Sequence, residues 1–304
     1  MPAVSIIMNI RNGAATLCEA IHSALTQTFP DWELIVWDDC STDSSADIVR
    51  SYTDPRIRYF LAPRKTSLGQ ARQAAINQAQ GEWLAFLDQD DVWLPHKLEQ
   101  QMVLANSSAV GLVYGRTLAF DSKGCQRDYD TFHEFAPLPE GNILAELVGC
   151  GCFVAMVSAM LRRSAVLEAG GIPDHIHIAP DYFLYLAVCR SYEARAVQSV
   201  VCRYRLHAGS MTQIYRRQSI QESVRIIGGG RELVTREVYE RRRTRLSTAL
   251  AVEEMRDRET FLDGVRRLLR EGSPLWLAGR PFAHLWRRLR RLVLRPYWRS
   301  TEGS

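Results

Sequence analysis

The 304-residue chain predicts an α/β protein built on a mostly parallel, doubly wound sheet. Three observations carry this. Short apolar runs alternate with stretches of helical spacing as far as residue 88, and repeated βα units of this length imply parallel strands joined by right-handed crossovers. The run ending at Trp37 gives way at once to Asp38 and Asp39, and the run ending at Leu87 to Asp88, Asp90 and Asp91. Sheets of this kind collect ligands beyond the carboxyl ends of their strands, and both acidic clusters fall there.

Taken in order, Ala3–Asn9 is the first strand, after which Leu17, Ala20, Ile21, Ala24 and Leu25 repeat at helical spacing. Glu33–Trp37 is the second apolar run, closed by the polar stretch 38–43. A short helix covers Ser44–Tyr52, and a strand covers Ile57–Leu61. Ser67–Ala79 is a helix begun by a serine and ended near Gly81, and Trp83–Leu87 is the next strand. A helix runs from Pro95 to about Asn106. Gly111–Gly115 and Arg116–Asp121 look like an antiparallel pair. Residues 121–141, polar with aromatics and a Pro-Leu-Pro, read as a mobile loop. Ser158–Arg162 is an edge-strand candidate, Ser164–Ala169 and Asp181–Arg190 are helices, and Val197–Tyr204 is the last strand. After Ser210 the pattern turns helical and Arg-rich, which places a domain boundary near residue 216.

An apolar content of 46% and a charged content of 24% are those of a globular protein with a sizeable core. The net charge of +4 hides an asymmetry: residues 1–215 carry 17 Lys/Arg against 23 Asp/Glu, whereas residues 216–304 carry 21 Arg against 11 acids. An acidic body with a basic tail suggests a catalytic unit and a docking segment. The seven cysteines, Cys18, Cys40, Cys125, Cys150, Cys152, Cys189 and Cys202, form no paired framework and are expected to be reduced. Met1–Ile7 lacks the charged and long apolar regions of a secretory leader, and no stretch reaches the roughly 18 apolar residues that span a bilayer. A cytoplasmic protein, peripheral on the inner face of the cell membrane at most, is expected.

Carboxylates packed as closely as Asp88, Asp90 and Asp91 repel one another unless a cation or a donor-rich ligand lies among them. A divalent ion bridging to a diphosphate would satisfy them; a solvated acidic turn after a strand is the alternative. The rest of the sequence favours the ion. The segments VSIIMNIRNG, LTQTFPDWELIVWDDCSTD, GQARQAAI, GEWLAFLDQDD, APDY and YRLHAGSMT occur in this order. Over roughly residues 3–215 the chain thereby resembles the family-2 glycosyltransferases, inverting enzymes with the GT-A nucleotide-sugar fold.

The resemblance implies a metal-dependent transfer of a sugar from a nucleoside diphosphate donor to a hydroxyl of a saccharide or lipid-linked acceptor, in surface polysaccharide biosynthesis. It implies a GT-A domain over 1–215, with a nucleotide-sugar half to about residue 115 and an acceptor half from about 116, followed by a basic helical extension over 216–304. Asp39 matches the acid that hydrogen-bonds the nucleotide base, with Asp38 beside it and Asn9 in the same nucleotide-binding group. Arg72 matches the arginine that faces the nucleotide, where a guanidinium pairs with phosphate or stacks on a base. Asp88 and Asp90 match the Asp-x-Asp element, Asp88 toward the ribose and Asp90 toward a divalent cation, and hard oxygen ligands imply Mn²⁺ or Mg²⁺. His207 matches a histidine near that metal and the diphosphate, with Arg205 as a further contact to the anion. Asp181 stands where the family places its catalytic base, though the same residue could simply cap the helix that follows.

Two departures from the family pattern bear on the donor. The aromatic expected at Ile10, bordering the base, is missing, and the glycine usual after the paired acids is Cys40, so the turn there must avoid positive φ or tolerate strain. UDP, GDP and dTDP donors all stay open. In the tail, Phe282, Leu285, Trp286, Leu289, Leu292 and Val293 repeat at helical spacing, with Arg287, Arg288, Arg290 and Arg291 on the remaining face. Such a helix suits an anionic membrane surface, or packs on protein. No nucleic-acid reading module accompanies these arginines, so no nucleic-acid partner is expected. The rivals are a nucleotidyltransferase on a related sheet, which would want a glycine-rich basic loop at Asn9–Gly13, and a non-catalytic nucleotide-sugar-binding protein, which could have dispensed with Asp88, Asp90 and Asp181.

Overall fold

The computed structural model describes residues 1–121, 126–128, 137–207, 209–229, 231–257 and 260–271. They form two compact units, Met1–Tyr239 and Glu240–Ser304. The first therefore takes in residues 216–239, which the sequence expectation assigned to the extension.

In the first unit the strands and helices alternate as β1 (Val4–Ile10), α1 (Leu17–Leu25), β2 (Trp32–Asp38), α2 (Ser45–Arg50), β3 (Ile57–Leu61), α3 (Leu68–Gln78) and β4 (Trp83–Phe86). There follow β5 (Val92–Trp93), α4 (Lys97–Leu104), β6 (Val110–Asp121), β7 (Gln126–Asp128), α5 (Leu144–Cys150), β8 (Met160–Arg162), α6 (Arg163–Glu168), α7 (Pro180–Val188) and β9 (Glu193–Leu206). Helices α8 (Met211–Ile214) and α9 (Arg216–Gly228) complete it. One sheet runs in the order β3-β2-β1-β4-β8-β6-β9-β5, with β7 added on β6. The first four strands are parallel. Beyond β4 the sheet is mixed, with β8 antiparallel to both β4 and β6, and β9 parallel to β6.

Strands β1 and β2 are buried almost throughout, as parallel strands covered on both faces must be. Helix α3 starts where its sequence says it should: the Ser67 hydroxyl accepts from the Gln70 N–H, and the Gln70 side chain returns to the Ser67 N–H, closing a capping box. The expected antiparallel pair at 111–121 is instead the single strand β6. Gly115, which suggested a turn, sits where the register with β9 shifts, and a Cβ there would lie 2.7 Å from a Val201 methyl. The glycine marks close approach of strands. The loop expected over 121–141 lies mostly outside the described residues. Cys18, Cys40, Cys150, Cys152, Cys189 and Cys202 form no disulfide with one another.

The second unit contains most of α10 (Arg236–Glu254) and α11 (Phe261–Glu271). Ala251, Met255, Phe261 and Leu268 pack together between them, with Val252 and Val265 at the margin, and Arg267 pairs with the buried Glu254 at 3.0 Å. The amphipathic stretch read at 281–296 lies outside the described residues. No helix among the described residues is long and apolar enough to cross a membrane.

Lys97 is enclosed within the core. Lys97, 1% exposed, donates to Gln101 Oε1 at 2.6 Å and lies 4.1 Å from the centre of the Trp93 ring. Burial lowers its pKa from 10.5 to about 7. Below pH 7 folded and unfolded chains both hold the proton, and the folded state bears the cost of enclosing it. Between about 7 and about 10.5 the folded chain has released a proton that the unfolded chain keeps, so stability rises with pH across that window. Lys97→Met, similar in volume, should remove this rise. Melting temperatures measured from roughly pH 6 to pH 10 should climb for the wild type relative to the variant, and parallel curves would refute an enclosed, titrating lysine.

Candidate active site

Strands β1, β2 and β4 run in the same direction, so their carboxyl ends open on one edge of the sheet. The loops leaving that edge are stitched together by side chains. Asn12 Oδ1 accepts the Thr42 N–H at 2.8 Å, Ser45 Oγ accepts the Gly13 N–H at 2.9 Å, and Asp43 accepts the Ala14 N–H at 3.0 Å. Gln89, the middle residue of Asp88-Gln89-Asp90, accepts the Arg11 N–H at 2.8 Å and donates to the Arg11 C=O at 3.2 Å. This two-way bond locks the loop after β1 to the acidic loop after β4. The sequence offers no signal for it, because Gln89 occupies the position of a spacer.

Of the paired acids after β2, only Asp39 is available to a ligand. Asp38 is fully buried; one of its oxygens accepts the Ser41 N–H and the other the Tyr59 hydroxyl, both at 2.7 Å. One Asp38 oxygen thus holds the turn and the other ties it to β3. Asp39 Oδ1 accepts the N–H and the hydroxyl of Thr66, each at 2.9 Å. Its Oδ2 lies 3.5 Å from Arg11 Nη1. The charged side chain beside Asp39 is Arg11, 39% exposed, whereas Ile10 meets Asp39 only through its backbone carbonyl and buries its side chain in the core. Cys40 takes φ = 61°. The left-handed conformation of the missing glycine is kept, at a cost of about 1 kcal/mol for a residue with a Cβ. Asn9, the penultimate residue of β1, pairs with Trp37, and its side-chain amide is enclosed with no hydrogen-bond partner among the described residues.

Arg72 projects from α3 with 3% exposure and donates to Asp88 Oδ1 at 2.9 Å. A third of the Asp88 side chain is still reached by solvent. Its carboxyl is raised above the ordinary range by burial, with Arg72 opposing and the negative charges of Asp90 and Asp181 adding to the rise. Asp90 Oδ2 lies 2.7 Å from His207 Nε2. Asp91 points the other way: it is 1% exposed, accepts the Arg205 N–H at 2.8 Å, and is raised well above the usual carboxylate value by burial and by Asp90 and Asp88. Arg205 also donates to the Asp90 C=O at 2.7 Å and pairs with Glu19. Its guanidinium holds the acidic loop in place.

Asp181 occupies the first turn of α7. Its Oδ1 accepts the Tyr182 N–H at 2.8 Å, and its Oδ2 lies 3.8 Å from the Cys152 thiol. Burial raises its carboxyl, and Arg72 opposes the rise. Arg72, Asp88, Asp90, Asp181 and His207 are thereby gathered at one edge, with Asp39 and Arg11 on the neighbouring loops. Chemically the arrangement offers one buried cation, the carboxyls of Asp88 and Asp181 raised by burial, and an acid–imidazole pair of donors. No cluster of three or more His, Cys, Asp or Glu side chains among the described residues is drawn together as a metal cage.

The family model described as Glycosyl transferase family 2 matches residues 5–170, stopping short of Asp181 and His207. Two Escherichia coli proteins, WfgD and WfaP, are named UDP-Glc:alpha-D-GlcNAc-diphosphoundecaprenol beta-1,3-glucosyltransferases. WfgD is 29% identical over 69% of this chain and 79% of its own length, and WfaP is 30% identical over 73% and 85%. Among solved structures, the mannosyltransferase PcManGT from Pyrobaculum calidifontis, in complex with GDP-Man and Mn²⁺, covers 99% of this chain and 83% of its own, with a TM-score of 0.63 at 18% identity. The expected α/β architecture is therefore that of GT-A glycosyltransferases. With more than half its length matched by the family, the chain belongs to glycosyl transferase family 2 and is a glycosyltransferase.

Proposed function

We propose that the enzyme transfers a sugar from a uridine diphosphate donor to a hydroxyl of a lipid-linked saccharide, with inversion, and that Asp181 is the base. The observation that carries this is the meeting of Asp181 with the Arg72–Asp88 pair, beside Asp90 and His207. Asp181 takes the proton of the acceptor hydroxyl as that oxygen attacks the anomeric carbon, and the bond to the donor diphosphate breaks with its electron pair leaving on the diphosphate. A raised carboxyl is a better base than an ordinary one near neutral pH.

Asp90 and His207 fit a divalent ion. A carboxylate oxygen and an imidazole nitrogen at 2.7 Å are donors for Mn²⁺ or Mg²⁺. Sites of this kind take one or two protein ligands and fill the rest with substrate phosphates and water. When bound, the ion supplies positive charge to the departing diphosphate. Arg72, its charge shared with Asp88, faces the same region.

Asp39 favours uridine over guanosine. Thr66 already gives Oδ1 two hydrogen bonds, which leaves Oδ2 for a single donor, with the Arg11 guanidinium 3.5 Å away. Uracil presents one ring N–H between two carbonyl oxygens, matching one free acceptor beside one donor. Guanine presents a second N–H group that would go unpaired. The names of the E. coli relatives, which print UDP-Glc and a diphosphoundecaprenol acceptor, support the same donor and a lipid-linked acceptor. Asn9 and Asp88 remain candidates for the nucleoside side. Docking of the Arg-rich tail to an anionic inner membrane face would bring the site to such an acceptor.

Two outcomes are expected. In titrations with Mn²⁺ present, UDP should raise the melting temperature and bind at least about ten-fold tighter than GDP, a gap of about 1.4 kcal/mol. GDP binding as well as UDP would overturn the base assignment, and indifference to both would overturn the donor site. Asp181→Asn should keep UDP affinity within about three-fold while transfer falls by about 10²–10⁴. Because the carboxyl of Asp181 must be ionised to act and burial raises it, the wild-type rate should climb with pH above the ordinary carboxylate range. Normal turnover by the variant would remove Asp181 from the chemistry.

A further inference from the structure

Glu222 lies in α9, beyond the residues matched by the family, and is 2% exposed. One of its carboxylate oxygens accepts the His177 N–H at 2.8 Å. The other accepts those of Ile178 and Ala179, at 2.8 and 2.9 Å. Three successive backbone donors on one enclosed carboxylate form a charge-assisted grip on residues 177–179. That segment runs directly into Pro180 and Asp181.

Helix α7 has no side-chain cap of its own: Ala179 stands at the cap position, and Pro180 brings no N–H. An anion near a helix start is favourable, and here it is delivered from another helix. The segment is also held from α3. The Gly69 N–H donates to the His177 C=O at 3.2 Å, and a Cβ at Gly69 would stand 1.9 Å from the Ile176 carbonyl oxygen. On the same helix, Gln73 Oε1 accepts the Ile172 N–H at 2.7 Å. The approach to Asp181 is thus fixed both to α9 and to the helix that carries Arg72.

We propose that Glu222 is a positioning residue for Asp181, setting the entry of α7 so that the carboxylate meets the acceptor hydroxyl in register with the donor. This rests on Asp181 being the base. Displacements of about 1 Å can cost about 10² in rate, and Ala179, gripped by Glu222, is two residues from Asp181. A role confined to fold stability predicts less active protein. A positioning role predicts fully folded, donor-binding protein that turns over slowly.

The test uses the full chain with Glu222→Gln, which keeps the shape but loses the charge and one acceptor oxygen, and Glu222→Asp, which keeps the charge one methylene short. Expected for Glu222→Gln are UDP stoichiometry and donor KM within about two-fold of wild type, kcat per UDP-binding site lower by about 30- to 100-fold, and faster amide exchange at 177–179. Glu222→Asp should fall between. Wild-type kcat per binding site in Glu222→Gln, or a loss of kcat fully accounted for by lost UDP-binding protein, overturns the proposal. Should Glu222→Gln not fold, Glu222→Asp decides: lowered kcat with unchanged donor KM upholds the proposal, and wild-type kcat overturns it. Asp181→Asn run alongside separates the failures. If it turns over normally, the base and its positioning residue fall together; if it is inactive while Glu222→Gln is normal, the positioning alone falls.

Discussion

Arg72 enters the carboxyl edge of the sheet from α3 as a nearly enclosed cation, and the acids around it can coexist only because it is there. Asp88 pairs with it directly, and its charge opposes the rise in the Asp181 carboxyl. One guanidinium does not balance that many acids. Asp88, Asp90 and Asp91 lie within four residues of sequence, and repulsion among them contributes to the upward shifts of Asp88 and Asp91. Carboxylates held in this condition are primed for a positive partner, since a divalent charge would remove repulsion and desolvation cost together.

The acids are kept close by ties that do not themselves touch a substrate. Gln89 fastens the acidic loop to the loop after β1, and Arg205 fastens it to β9 and α1. Asp38 spends one oxygen on its own turn and the other on β3, and Asp39 is presented with a single oxygen free. Preorganisation of this kind matters because a site that had to assemble its charges at the moment of transfer would lose much of its electrostatic advantage.

The parallel half was legible in the sequence because its signals are local. Alternating apolar runs, a serine at the start of α3 and acids at strand ends each declare themselves within a few residues. Asp88, Asp90, Asp181, Arg72 and His207, singled out by motif, do converge. Legibility fell where a residue type fits two roles. Gly115 serves equally in a turn and in a close strand crossing, and the structure uses it for the second. Asp38 and Asp39 are indistinguishable as letters, and only the Ser41 N–H and the Tyr59 hydroxyl separate them. The reach of the Arg11 side chain to Asp39 is not visible in the sequence, since the two are 28 residues apart, while the Ile10 side chain faces the core. Glu222 gave no signal at all: an acid in an Arg-rich helix reads as solvated until the three N–H groups it meets are known.

The two halves of the sheet differ in a way that follows from what each must recognise. The parallel part of the sheet rests on β1, β2, β3 and β4, and the family match covers it and runs on through β8 to residue 170. A nucleoside diphosphate is the same object in every such enzyme, so the strand ends and loops that meet it have little room to vary. Asp181 and His207 come after that point, on segments joined to the parallel core by antiparallel pairing through β8 and by contacts from α9 and β9. If Asp181 is the base proposed above, it must meet an acceptor while keeping its distance from the donor, and it needs an anchor beyond the parallel core. The grip of Glu222 on the approach to Asp181, together with the seating of that approach on α3, is such an anchor. It fixes the approach to Asp181 relative to the helix that carries Arg72.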